Sequence, residues 1–100
     1  MILIIGKGQL LPERRDQALA AATTMSEASR GEAGCHDYRF WTSISDPNLM
    51  MVLEEWEDQA ALDAHFRTPH LKEFAEALTR TLDGSLEVIK YEIASHGSLL

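Results

Sequence analysis

The sequence predicts an α+β fold of the ferredoxin-like type: one domain over residues 1–100, with a four-stranded antiparallel sheet and helices on one of its faces. Three observations predict it. The apolar pattern changes period in the order strand, helix, strand, strand, helix, strand. Glycine, proline and Asp/Asn/Ser clusters fall where the period changes. The length of 100 residues leaves room for one core, because a body of this size buries roughly two-thirds of its unfolded surface.

Residues 2–10, ILIIGKGQL, are β-branched and apolar, which suits a buried strand. Gly6 and Gly8 mark where another part of the chain approaches the backbone closely. From Pro12 to Arg30 the spacing predicts a helix. Proline and glutamate stand at its front, Ala18, Ala22, Met25 and Ser29 form a thin apolar stripe, and Gly31 supplies the stop. After the turn 31–34, the run CHDYRFWTSI alternates His36, Tyr38 and Phe40 against Asp37, Arg39 and Trp41, the period of a strand. Ser45, Asp46, Pro47 and Asn48 carry turn chemistry into a third strand, LMMVLEEW at 49–56, apolar on both faces and so central.

Residues 57–66 read as a short helix. Thr68 and Pro69 then restart the chain with a cap residue followed by proline at the first helical position. Leu71, Phe74, Ala75, Leu78 and Leu82 recur at three- and four-residue steps, predicting a second amphipathic helix. Asp83 and Gly84 end it, and residues 86–94 close the sheet. Helices on one face leave the other face apolar, from Met51 and Leu53 or Met50 and Val52 together with residues of the last strand. An apolar face of that size predicts a two-fold homodimer stacked sheet to sheet. The end of the chain, residues 95–100, reads as a tail or a strap.

The net charge of -7 argues against nucleic acid and anionic lipid as partners, since both require clustered Lys and Arg. One cysteine, Cys35, forms no internal disulfide. The apolar start is broken at Gly6, too early for a membrane span or a signal-peptide core. These features predict a soluble, cytoplasmic protein.

Gly34-Cys35 with Tyr38, the Glu54-x-Trp56 pair, Ala64-His65, and Thr68-Pro69-His70 with Phe74 together resemble the antibiotic biosynthesis monooxygenase family. The likeness runs over nearly the whole chain and is strongest from Glu54 to Phe74. It implies a dimeric α+β barrel that uses molecular oxygen without flavin, haem or metal to oxidise phenols or hydroquinones to quinones. A deprotonated polyphenol can itself pass an electron to oxygen, so the protein need only bind it, remove a proton and shelter the radical pair. Departures from the family's branches are visible. Val52 stands where the polyketide-tailoring branch has an asparagine beside its tryptophan. Gly8, His65 and Ala75 stand nearest the asparagine, tryptophan and histidine of the haem-degrading branch, which disfavours haem as a substrate.

The candidate catalytic residues are His65, Glu54 and His70, and the candidate substrate-binding residues are Trp56, Tyr38, Phe40, Phe66 and Phe74. His65 is a base whose ordinary pKa is near neutral, or a helix-end histidine bonded to a carbonyl. His70 is a donor to an oxyanion, or a residue packed on Phe74. Glu54 shares its sheet face with Trp56, whereas Glu55 points the other way. Glu54 either holds a histidine in one tautomer or pairs with Arg39, Arg67 or Lys72. Trp56 is a stacking wall or a core residue, and Tyr38 and Phe40 line a cavity or a dimer core. No metal is expected, because two histidines five apart on one helix point about 140° apart and the Pro69 break removes even that relation. The leading expectation is a cofactor-independent monooxygenase acting on a small aromatic molecule. The alternatives are a non-catalytic small-molecule binding dimer, or an isomerase or degradative enzyme for a small signalling ketone.

Overall fold

A computed structural model describes residues 1–100. Its elements are β1 (Ile2–Gln9), a 3-10 turn (Pro12–Arg14), α1 (Arg15–Arg30), β2 (Cys35–Thr42), β3 (Leu49–Trp56), α2 (Gln59–His65), α3 (Pro69–Thr81) and β4 (Glu87–Glu92). The four strands form one antiparallel sheet in the order β2-β3-β1-β4, the ferredoxin-like arrangement expected. No helix is long and apolar enough to cross a membrane.

The register fixes which side chains face the helices. Ile2 lies opposite Trp56, Ile4 opposite Glu54 and Gly6 opposite Val52, and Tyr38 lies opposite Glu54. Ile2, Ile4, Tyr38, Met50, Val52, Glu54 and Trp56 are all buried beneath α1 and the second-helix region. The opposite face carries Leu3, Ile5, Met51 and Leu53, which stay only half-buried. At Gly8 an added Cβ would stand 2.7 Å from Leu82 Cδ2, so the close approach read from the sequence is the seating of a leucine on the strand.

Several boundaries shift for local reasons. The first helix proper begins at Arg15, because Pro12–Arg14 winds as a 3-10 turn. Asp58 lies outside α2 and accepts a hydrogen bond from the Ala61 N–H at 2.9 Å, so it serves as the cap of α2. Thr68 caps α3 by accepting from the Leu71 N–H. Strand β2 ends at Thr42, before Ile44, which is fully exposed. The stripe of α3 is rotated from the expected one. Ala75 is exposed, while Phe74, Ala77 and Thr81 are buried and Leu71, Leu78 and Leu82 pack at its margin.

Two further corrections concern strands. All six residues of β4 are exposed, so the helices do not cover Val88 as they cover Val52 on the other side of Gly6. In β2, Cys35 lies opposite Trp56 but Asp37 lies opposite Glu55, leaving His36 as the extra residue of a β-bulge. His36 therefore does not share the face of Tyr38 and Phe40, as plain alternation suggested; it is exposed, and the residues after it keep the phase that buries Tyr38.

Candidate functional site

The helix-covered end of β3 carries an unusual core. Glu54 and Trp56 stand two residues apart on one face, and the indole Nε1–H of Trp56 donates to Glu54 Oε1 at 3.0 Å. The bulge in β2 brings Tyr38 opposite Glu54, its ring edge-on to Trp56 with centroids 6.3 Å apart. Trp56 and His65 are fully buried, and Glu54 is only 7% exposed.

His65 ends α2 and turns inward. Its ring lies over Trp56 at a centroid distance of 4.6 Å and beside Tyr38 at 5.4 Å. Thr68 fixes the break after it, donating through Oγ1 to the His65 carbonyl at 2.7 Å while capping α3. That break returns the chain so that His70 comes beside His65, with centroids 6.0 Å apart. The α1–β2 turn supplies Glu32, whose Oε2 lies 2.7 Å from His65 Nδ1 and 2.7 Å from His70 Nε2. Both rings donate N–H to the one carboxylate oxygen. Gly34 makes this turn possible: its φ is +80, and an added Cβ would stand 2.6 Å from Ala61 Cβ. Its carbonyl also accepts from the Glu57 N–H at 2.8 Å.

Burial sets the electrostatics. It raises the Glu54 carboxyl to about 7, against the stabilising hydrogen bonds of Trp56 and Tyr38 and with a further push from the Glu32 charge. No cation pairs with Glu54, so the ion pair with Arg39, Arg67 or Lys72 is not formed. Burial lowers the His65 imidazole, opposed by its hydrogen bond to Glu32. The ring is therefore held in the neutral Nδ1–H tautomer, and its Nε2 is buried without a hydrogen-bond partner. Burial likewise pushes the Tyr38 phenol far up, with Glu54 adding to it. Burial, then the Glu32 charge, raises the Cys35 thiol to about 11, which leaves little thiolate at neutral pH.

A cleft of about 460 Å³ opens between α1 and the edge strand β2, lined among others by Leu19, Ala22, Ser26, Arg30 and Phe40. The buried cluster lies behind its wall. Phe40 packs on Tyr38 at 5.9 Å and on Phe74 at 5.2 Å, so it faces both the cleft and the cluster.

The structure thus brings together Glu54, Trp56, Tyr38, His65 and His70, and it places Phe40 and Phe74 in the wall beside them. It does not bring in Phe66, which is 60% exposed. One residue beyond an inward His65, the helix turns it about 100° away. The spacing argument against a histidine pair is also corrected, because the Pro69 break directs both rings to one point. Glu32, His65 and His70 offer ligand atoms within 4.8 Å of one another, a donor set of the kind zinc takes; as arranged, the two short contacts are hydrogen bonds. Glu32 escaped the sequence reading, its only local signal being a place in the turn before Gly34.

The family model described as antibiotic biosynthesis monooxygenase matches residues 1–77. The chain belongs to that family. The matched segment contains every member of the buried cluster. The chain is similar to the protein named "Putative monooxygenase YcnE" from Bacillus subtilis, 29% identical over 94 residues, spanning 94% of this chain and 99% of that protein. "Probable quinol monooxygenase YgiN" from Escherichia coli is 34% identical over 55 residues, which are 47% of this chain and 53% of that protein. A solved structure of a conserved protein from Methanosarcina mazei Go1 superposes with a TM-score of 0.86 at 32% identity, over 90% of this chain and 89% of the other.

Proposed function

We propose that this member of the antibiotic biosynthesis monooxygenase family oxidises a small phenol or hydroquinone with molecular oxygen and no cofactor. One observation carries the reading: Glu54, buried and without a cation, is raised to about 7 beside Tyr38, whose ring packs on the cleft residue Phe40. A purely structural carboxylate in such a place would be expected to have a cationic partner. A carboxylate poised near neutral pH suits a general base.

In this reading the ring of the substrate rests on Phe40, and its hydroxyl proton passes to Glu54 once the Phe40 ring turns aside. The phenolate gives one electron to oxygen, and the radical pair recombines to a ring hydroperoxide. The O–O bond then breaks. One oxygen atom stays on the ring as the quinone carbonyl, and the other leaves as water, taking back the proton held by Glu54. The phenol supplies the four electrons that oxygen accepts. Trp56 holds Glu54 in place, His65 packs over Trp56, and the Glu32 carboxylate orients both His65 and His70. The roles therefore shift, with Glu54 as base and His65 and His70 as positioning residues. The same reading has a second copy covering the bare sheet face and the protein working in the cytoplasm, where a lone cysteine stays reduced.

The test is oxygen uptake by purified, metal-stripped protein on a panel of hydroquinones and phenols, with Glu54→Gln and Trp56→Phe beside the wild type. Protein-dependent uptake that falls roughly 100-fold or more in a Glu54→Gln variant that is still folded, the scale of a lost general base, supports the reading. Uptake that is indifferent to Glu54 refutes it. The closed wall at Phe40 favours one competing reading, a dimer that binds such molecules without reaction; retained binding with no uptake would favour it.

A further inference from the structure

The cleft between α1 and β2 has a charge at odds with the rest of the molecule. The chain carries nine basic and sixteen acidic residues, yet Arg15, Arg30 and Arg39 line this cleft and no acidic side chain does. Arg39 is paired with Asp37 at 3.0 Å, and Arg15 makes a long contact of 3.9 Å to the exposed Asp16. Arg30 forms no ion pair with any carboxylate. Its Nη1 donates to the Tyr38 carbonyl at 2.9 Å, which anchors the guanidinium across the gap between helix and strand. A guanidinium has five donors, so one anchored in this way keeps several for a ligand.

Beside this fixed cation the lining on the helix-covered face is aromatic and apolar, from Phe40, Leu19 and Met50, while Trp41, opposite Met51, turns to the other face. The volume of about 460 Å³ falls within the range of small-molecule sites. Arginine matches a carboxylate with two parallel N–H donors. A flat ring against Phe40 and a carboxylate at Arg30 would use both parts of the lining.

We propose that the α1/β2 cleft is a binding site for an aromatic carboxylate, its ring against Phe40 and its acid group held by Arg30. This names the substrate class of the oxidation proposed above, a phenol that carries an acid group, and it rests on that reading only for what happens after binding. Arg30 is a specificity-determining residue in this account, while Glu54 does the proton chemistry.

Binding is measured without oxygen, by calorimetry and by quenching of tryptophan fluorescence, with 2,5-dihydroxybenzoate, its methyl ester and phenyl phosphate. The acid is expected to bind about 10-fold or more tighter than the ester at low salt, the scale of one charge-assisted contact, and only the acid should weaken as salt rises. Arg30→Met should erase the preference, and Arg30→Lys should restore part of it. Lys keeps the charge without the fork, so partial rescue also separates ligand recognition from loss of the Tyr38 contact. An ester that binds as tightly as the acid, or a preference that survives in a folded Arg30→Met, overturns the proposal, as does phenyl phosphate outcompeting the carboxylate. Oxygen admitted afterwards separates the two readings. Selective binding of the acid without oxygen uptake leaves the cleft assigned and removes the oxidation. Uptake on acid and ester alike, indifferent to Arg30, removes the cleft assignment and leaves the oxidation.

Discussion

Replacing Glu54 by Gln should remove a measurable dependence of stability on pH. Burial moves the carboxyl from 4.5 to about 7 in the folded chain, so between those values the folded state holds a proton that the unfolded state has released. Stability from this group is thus full below pH 4.5 and lost progressively as pH rises to about 7, above which the loss is complete. Each pH unit in that interval is worth about 1.4 kcal/mol, so the span of about 2.5 units costs about 3 kcal/mol of unfolding free energy. Other groups titrate in the same range. The lowered His65 acts in the opposite sense, since a neutral buried imidazole loses stability as pH falls through the unfolded value of 6.5. The difference between wild type and Glu54→Gln isolates Glu54. Gln keeps an acceptor for the Trp56 indole, so the hydrogen bond survives the change. Urea unfolding followed by tryptophan fluorescence at pH 4.5, 6 and 8 should show the variant gaining about 3 kcal/mol on the wild type across the series. A difference that stays flat with pH would refute the reasoning and would mean that Glu54 is ionised in a wetter or better compensated site.

Glu32→Ala removes the acceptor shared by two imidazoles and leaves the His65 Nδ1–H buried without a partner. We expect a loss of about 3 kcal/mol, read by urea unfolding, and a His65 that titrates still lower in NMR because Glu32 now raises it. Gly34→Ala forces a Cβ at φ +80 to within 2.6 Å of Ala61; a loss of about 2 kcal/mol or more should appear as a lower melting temperature, and an unchanged one would contradict the turn geometry. Phe66→Ala, at an exposed site, should change stability by no more than about 0.5 kcal/mol and leave oxygen uptake as it was. Leu53→Arg places a charge in the middle of the bare sheet face; in sedimentation the homodimer proposed for the wild type should give way in the variant to a monomer of 11.2 kDa.

The order of elements was readable because apolar period is a local property, and the stripe Ala18, Ala22, Met25 and Ser29 was recovered as buried. The Glu54 and Trp56 pair was readable for the same reason, since residues two apart on a strand share a face. What escaped was whatever depends on two distant segments meeting. Glu32 reaches His65 and His70 across 33 and 38 residues, and nothing in a short turn announces such partners. The arginine cleft likewise draws on both ends of α1 and on β2. Phe66 was misplaced for a simpler reason: two neighbours on a helix cannot both point inward, and choosing His65 already decided against it.

The bulge at His36 has a consequence for how this gene can change. Deleting the His36 codon would leave the pairing as it is: Cys35 stays opposite Trp56, Asp37 opposite Glu55 and Tyr38 opposite Glu54, and the ladder becomes regular. Losing a residue farther along is different. Without Arg39, Phe40 would slide opposite Leu53 and leave the cluster for the bare face. Insertions and deletions are commonly tolerated in loops, and the bulge extends that tolerance two residues into the strand. In this chain the frontier of tolerated length change should fall at Asp37, so that relatives differing in length up to the bulge would still keep the count of residues from Tyr38 to Thr42.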